Sequence, residues 1–196
     1  MKARRTWWIA GGWALVALLA ALTLLAQREQ RALRGERTPA LSERLFGPFA
    51  NLAASVQWAR VELALQHGDP ALAYARAETA LALAPGASQS WIFLAHHFIF
   101  ERASAAREPE LARRSAWVRV GLDTLARGIE RASEPAEVVF DRGLVYVYLA
   151  SLADSDRPWD ASASEAWARA EEDFARAARA GHPLAREALE RARERH

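Results

Sequence analysis

An uncharged run of twenty residues near the start of the chain, residues 7–26, limits the fold more than any other feature. An α-helix of this length spans about 30 Å, which is the thickness of the hydrocarbon core of a bilayer. Lys2, Arg4 and Arg5 precede the run, and three tryptophans lie in its first half. Basic flanks and an aromatic belt are typical of membrane-spanning helices. We predict a transmembrane helix over residues 7–26, with a basic tip over residues 1–6 before it and a juxtamembrane linker over residues 27–47 after it.

Two other interpretations of residues 7–26 stay open. A cleaved signal peptide is usually shorter and ends in a small-x-small site, which Leu24 and Ala26 match weakly. A buried helix of a soluble domain fits less well, because this segment is apolar on every side. Basic residues are nearly balanced across the run, but a basic tip before a single span usually stays inside. We therefore expect the rest of the chain to lie outside the cytoplasm.

Composition indicates the source and excludes several classes of function. Lys2 is the only lysine among 26 basic residues and alanine is abundant, which is typical of GC-rich bacterial genomes. We therefore expect a single-pass protein of the bacterial inner (cytoplasmic) membrane, with a periplasmic helical domain. Residues 1–40 carry seven basic and two acidic residues, whereas residues 41–196 carry 19 and 22. The second part is mildly acidic, which disfavours nucleic acid as a partner, and the absence of cysteine excludes disulfides.

Beyond the linker, the sequence is typical of α-helices separated by glycine, proline and capping residues. Alanine, leucine, arginine and glutamate dominate, and no run alternates apolar with polar residues, so we predict an all-α domain over residues 48–196. Asp69 is predicted to cap a helix starting at Pro70, and Ser162 with Glu165 forms a predicted capping box. The predicted helices cover residues 48–67, 70–84, 88–103, 108–132, 135–153, 162–180 and 184–196.

The short connections between these helices predict three helical hairpins in series, which form an α-solenoid capped by the last helix. Within residues 68–85, a small residue is followed by alanine, alanine-leucine and a closing proline. This order resembles the second half of a tetratricopeptide repeat (TPR). Residues 91–98 resemble the first half of the next repeat, and residues 170–177 are similar to another second helix. The positions of residues 68–85 that match are Gly68, Ala73, Ala80, Leu81, Leu83 and Pro85.

The resemblance is close over residues 68–98 and looser over residues 54–182. Ala77 stands where the family prefers an aromatic residue, and the first helix lacks the tryptophan-leucine-glycine order. The resemblance implies a divergent TPR-like fold, in which small residues such as Gly143 allow close helix approach and aromatic residues such as Phe174 fill the gaps.

For function, the resemblance implies a concave groove that binds a protein or peptide and is lined by the first helix of each hairpin. The alternative is that the same side chains form the core, as large apolar stripes at helical spacing often do. Carrying the periodicity of the family over to this sequence gives the candidate groove residues Trp58, Glu62, Leu65, Ile92, His96, Phe100, Phe140, Leu144 and Tyr148.

No pattern in the chain indicates a catalytic, cofactor or metal site. His96 and His97 are neighbours on a helix and therefore point about 100° apart, so they cannot face one ion together. The aspartates of residues 154–160 lack the glycine and distal glutamate of an EF-hand. There is no Gly-rich phosphate loop or oriented nucleophile. In the same loop, Trp159 is expected to fold back onto the core or to touch lipid or a partner.

These observations predict a membrane-anchored, TPR-like adaptor or scaffold that mediates protein–protein interaction in the bacterial envelope and has no enzymatic activity. The alternative is an obligate structural subunit of a larger membrane complex for secretion, envelope assembly or transport. Such a subunit would have its groove filled permanently.

Overall fold

The computed structural model describes residues 47–195, and every regular element in this range is helical. This confirms the all-α prediction. None of these helices is long and apolar enough to cross a membrane, and the predicted transmembrane helix at residues 7–26 lies outside the described residues. The described elements are α1 (Pro48–Gln66), α2 (Pro70–Leu83), α3 (Ser88–His96), a π-helix (His97–Arg102), α4 (Leu111–Arg131), α5 (Pro135–Ser151), α6 (Ala163–Arg179) and α7 (Ala185–Arg193).

The described chain divides after Ala84 into two compact units. The first contains the hairpin α1–α2. Its turn is formed by Gly68, whose φ of 73° lies in the left-handed region that glycine adopts without strain. As predicted, the Asp69 carboxylate caps α2 by accepting from the Leu72 N–H at 3.0 Å, and Pro70 occupies the first turn. The side chains that this pair of helices buries are mostly alanines.

The second unit contains α3 to α7. Within it, α3 packs against α4, α5 against α6, and α7 against α6. Large buried rings lie over glycines of the partner helix. A Cβ atom added to Gly128 would lie 2.8 Å from Trp91, and one added to Gly143 would lie 2.6 Å from Phe174. Phe174 therefore fills the space that Gly143 leaves, and it does so within one hairpin, whereas the sequence predicted that such rings fill the gaps between hairpins. Gly128 was not singled out in the sequence.

Most predicted helix ends lie within about three residues of the observed ones, but the third helix differs in kind. The prediction of one α-helix over residues 88–103 is wrong, because the backbone widens into a π-helix at His97. Gly121 of α4 lies against Ile99 of the π-helix so closely that a Cβ would overlap its side chain. Because Gly121 has no Cβ, α4 leaves space for the widened turn of the π-helix. The sequence around residue 97 does not show this, since the glycine lies on another helix.

Only one of the two hydrogen bonds of the capping box predicted for α6 is formed. Ser162 Oγ accepts from the Glu165 N–H at 3.1 Å, as expected. The Glu165 carboxylate instead accepts from Arg169 one turn later, at 2.7 Å. An ion pair within the helix has therefore replaced the reciprocal bond back to the cap.

Candidate functional site

Two helices of the second unit, α3 with its π-helical continuation and α5, lie side by side. Three contacts join them. Gln89 Nε2 donates to Glu137 Oε1 at 2.7 Å, and His96 Nε2 lies 2.9 Å from Asp141 Oδ2. The third contact joins the ring centroids of Phe100 and Tyr148, 5.0 Å apart in an edge-to-face arrangement. Because residue numbers rise together along both helices, the two helices run in the same direction.

These contacts define a surface that we call the α3–α5 face. Along α3 its residues follow at intervals of four, three and four, and along α5 the intervals are the same. Such spacing keeps side chains on one side of a helix. The face is therefore formed by two rows of the same spacing, and its members are Gln89, Phe93, His96 and Phe100 on one helix and Glu137, Asp141, Leu144 and Tyr148 on the other.

The α3–α5 face exposes large apolar side chains. The exposed fractions are 53% for Phe93, 39% for Phe100, 45% for Leu144 and 36% for Tyr148. Exposed apolar residues scattered singly need no explanation, but a contiguous group of them marks an interaction site on many proteins. Phe100 belongs to the π-helix, a type of segment that is frequent at functional sites.

His96 and Asp141 occupy the middle of the face. The His96 side chain is 40% exposed and that of Asp141 only 13%, so the carboxylate lies deeper than the ring. The edge of the His96 ring also packs on Phe100, with centroids 5.0 Å apart. The imidazole is thus held by a hydrogen bond and by a ring contact. This arrangement fixes a polar group within an apolar surface, which is how binding sites orient a ligand.

The two neighbouring histidines diverge, as predicted. His96 turns to α5, whereas His97 is buried and lies 3.2 Å from Glu101. Burial lowers the pKa of His97 below 6.5, and the nearby Glu101 carboxylate opposes this in part. Within residues 47–195, no group of three or more histidine, aspartate or glutamate side chains could hold a metal ion.

The nine candidate groove residues fall into three groups in the structure. His96, Phe100, Leu144 and Tyr148 belong to the α3–α5 face. Ile92 is buried, and Phe140 stacks on His182 at 4.1 Å and packs on Phe174, so neither lines the face. In the first unit, Glu62 is exposed and Trp58 and Leu65 are partly buried on α1.

Sequence reasoning missed half of the face. It chose Ile92 where the exposed residue is Phe93, and it omitted Gln89, Glu137 and Asp141. Each residue of the face on α3 has its counterpart 48 positions later on α5, but the same offset links the buried Ile92 to Phe140. The offset alone therefore does not distinguish the face from the core.

Trp159 folds back onto the second unit, which answers the question that the sequence left open. Its ring lies 5.5 Å from that of Tyr146, and the Arg169 guanidinium stands over both rings. Two aspartates of the same loop form ion pairs, Asp154 with Arg157 and Asp160 with Arg119. This loop is therefore held by packing and charge within the unit.

No family model matches the chain, and no similar protein was found among the curated proteins or the solved structures.

Proposed function

We propose that this protein is a membrane-anchored adaptor that recruits another protein through its α3–α5 face. The observation that carries the proposal is the exposure of four large apolar side chains in two rows of the same spacing on parallel helices. A surface of this kind is suited to a peptide or helix laid across it, with side chains inserted at regular intervals.

The fold assigned to this adaptor is a divergent TPR-like α-solenoid. Helix pairs α1–α2, α3–α4 and α5–α6 pack as successive hairpins, and α7 packs on α6 at the end of the chain. In such arrays the first helices of neighbouring hairpins lie parallel and line the binding surface, and α3 and α5 have that relation in the second unit. Residues 7–26 would localise the array at the bacterial inner membrane, with the helical domain in the periplasm.

Site-specific crosslinking in intact cells tests this proposal. A photoreactive p-benzoylphenylalanine replaces Phe100 or Leu144 of the full-length chain, one at a time, and Val120 on α4 serves as a control. Val120 is 41% exposed and Leu144 45%, so the two positions are matched. We expect one adduct of the same mass from both face positions and none from Val120. Equal adducts at all three positions, or none on the face, would contradict the proposal.

A second candidate function is the obligate subunit of a larger membrane complex, and α1 gives it specific support. Four exposed apolar residues follow one another along one side of α1 at intervals of three, four and seven, while its other side buries alanines and Val61. A helix that is apolar on both sides is usually covered on both. The exposed residues are Phe49, Leu52, Val56 and Leu63.

The same crosslinking experiment separates the two functions. In an obligate subunit, p-benzoylphenylalanine at Leu52 would give an adduct in nearly every molecule, and the protein produced without its complex would aggregate. In an adaptor, crosslinking through Leu144 would vary with the amount of partner in the cell. The purified full-length protein would then stay monodisperse in detergent.

A further inference from the structure

The α3–α5 face is divided along its length by chemistry. Glu137 and Asp141 lie in the amino-terminal half of α5, whereas Leu144 and Tyr148 lie in its carboxyl-terminal half and Phe100 lies in the π-helix that continues α3. Each carboxylate uses one oxygen within the face, for the Gln89 amide or the His96 imidazole. The face therefore has both carboxylates in one half, together with Phe93, and three of its four exposed apolar side chains in the other half.

Among the described residues, no basic side chain balances the charge of either carboxylate. No arginine or lysine within residues 47–195 forms an ion pair with Glu137 or Asp141, and their second oxygens have no hydrogen-bond donor there. Glu137 lies in the first turn of α5, where the helix dipole favours an acidic residue. Asp141 lies beyond that turn and is mostly buried, so the helix end does not account for it.

Three arginines of the second unit contact groups outside the face. Arg142, which follows Asp141, donates to both oxygens of Asp173 at 2.7 and 2.8 Å. Arg102 of the π-helix lies 4.8 Å from the ring centre of Trp117, and Arg127 of α4 lies 5.2 Å from that of Trp91. With these cations engaged on other surfaces, the α3–α5 face keeps a net negative charge.

We infer that the α3–α5 face binds a partner segment in which arginine or lysine precedes or follows apolar side chains by about one helical turn. The cation would meet the free oxygens of Glu137 and Asp141, and the apolar side chains would cover Phe100, Leu144 and Tyr148. An acidic segment would be repelled, which gives the face specificity as well as affinity. This inference rests on the proposed adaptor function, because it names the chemistry of the recruited partner.

A selection from a library of random twelve-residue peptides tests the inference on the full-length protein in detergent. Peptides that bind the Phe100→Ala/Tyr148→Ala variant are removed first. The peptides that remain and bind the parent protein therefore depend on the face. The charge variant is Glu137→Gln/Asp141→Asn, which keeps both hydrogen bonds to Gln89 and His96. Its matched control is Glu190→Gln/Glu194→Gln, on α7 and just after its end, which removes the same charge elsewhere.

We expect the selected peptides to be enriched in arginine or lysine beside aromatic or aliphatic residues. Their affinity should fall about tenfold in the charge variant, at roughly two- to fivefold for each carboxylate, and stay unchanged in the Glu190→Gln/Glu194→Gln control. Raising the salt concentration from about 50 to 300 mM should weaken binding to the parent protein and have little effect on the charge variant.

Face-dependent binders without basic residues, or with the same affinity for the charge variant, would overturn this inference and leave the adaptor function standing. A selection that yields no face-dependent binder would also overturn it, while crosslinking at Leu144 still decides the adaptor function. The basic segment at residues 27–40 is the other occupant of matching charge. If its synthetic peptide displaced the selected binders with equal affinity, the face would belong to the chain itself and the assignment to a partner would be wrong.

Discussion

The two hairpins α1–α2 and α5–α6 have similar lengths but are held together by different side chains. In α1–α2 the buried residues are almost all alanine, and Leu81 is the largest of them. In α5–α6, Phe174 lies over Gly143 and Arg142 forms a bidentate ion pair with Asp173. The helices of α1–α2 are thus held together by small side chains, and those of α5–α6 by an aromatic ring and a buried charge pair.

The comparison shows two ways of bringing helices together, with different consequences. Alanine costs no side-chain entropy but buries little apolar area, so each contact contributes little stability. A ring against a glycine and a charge pair with defined geometry contribute more and allow fewer arrangements. We therefore expect the second unit to have the higher local stability. Hydrogen exchange measured by mass spectrometry on the full-length protein compares the two units, because it reports each helix separately.

The largest loss of stability is expected from Phe174→Ala. Phe174 is 1% exposed, and its loss would leave a cavity beside Gly143. Large-to-small changes of buried phenylalanine cost about 3–5 kcal/mol. Exchange in α5 and α6 should accelerate accordingly, as measured peptide by peptide against the parent protein. A loss below about 1 kcal/mol would mean that the ring does not hold this hairpin together, and the contrast with α1–α2 would disappear.

Removal of one partner of the charge pair should have the next largest effect. Asp173→Ala leaves the Arg142 guanidinium, whose side chain is 21% exposed, without its acceptor. Breaking a buried ion pair from one side costs about 3 kcal/mol. The double variant Arg142→Met/Asp173→Leu should recover most of this loss, because it leaves no unpaired charge. Urea unfolding followed by circular dichroism measures both. If the single and double variants were equally unstable, packing and not charge would explain the loss.

Changing one glycine in each of the two hairpins to alanine should lower the stability of the protein, but for different reasons. Gly143→Ala places a Cβ 2.6 Å from Phe174 Cε1, and overpacking of about 1–3 kcal/mol outweighs the gain in helix propensity of about 1 kcal/mol. Gly68→Ala meets open space, but its φ of 73° costs about 1–2 kcal/mol.

A second substitution in each hairpin, measured by thermal unfolding, distinguishes the steric cause at Gly143 from the backbone cause at Gly68. Phe174→Leu should restore part of the stability of Gly143→Ala, because the smaller side chain leaves room for the Cβ. Gly68→Asn should be milder than Gly68→Ala, because asparagine tolerates the left-handed conformation. The reverse pattern would show that the steric and backbone causes had been assigned to the wrong glycines.

The same contrast explains how much of the fold could be predicted from the sequence. Helix starts at Pro48, Pro70 and Pro135 were predictable because proline and capping residues act locally. The π-helix at His97 was not, because its room comes from Gly121 on another helix. The ion pair between Arg142 and Asp173 has the same origin, since it joins residues 31 positions apart.

The candidate site was predictable to the extent that it follows helical spacing. His96, Phe100, Leu144 and Tyr148 were found because they recur along their own helices. Asp141 was not, because its role depends on a helix 45 residues away that runs parallel to its own. Side chains that build a face by spacing are visible in a sequence, whereas those that join two helices become visible only when the helices are placed.

The smallest effect we expect is one of pH, and it should act on one unit only. Because burial lowers the pKa of His97 below 6.5, the unfolded chain takes up a proton at higher pH than the folded chain does. The stability that the buried neutral ring contributes is therefore fully present above pH 6.5 and is lost as pH falls through the lowered pKa. Exchange in α3 and α4 should accelerate between about pH 7 and pH 5, after correction for the intrinsic pH dependence of exchange.

The variant His97→Gln supplies the control for this pH effect. It keeps a polar side chain near Glu101 but cannot take up a proton in that range, so the pH dependence in α3 and α4 should become shallower. His96 lies on the α3–α5 face and contacts α5 instead, so His96→Gln should leave the pH dependence of α4 unchanged. A pH dependence that survived His97→Gln, or that appeared equally in α1 and α2, would assign it to other groups. The difference between the two units would then lie in their packing alone.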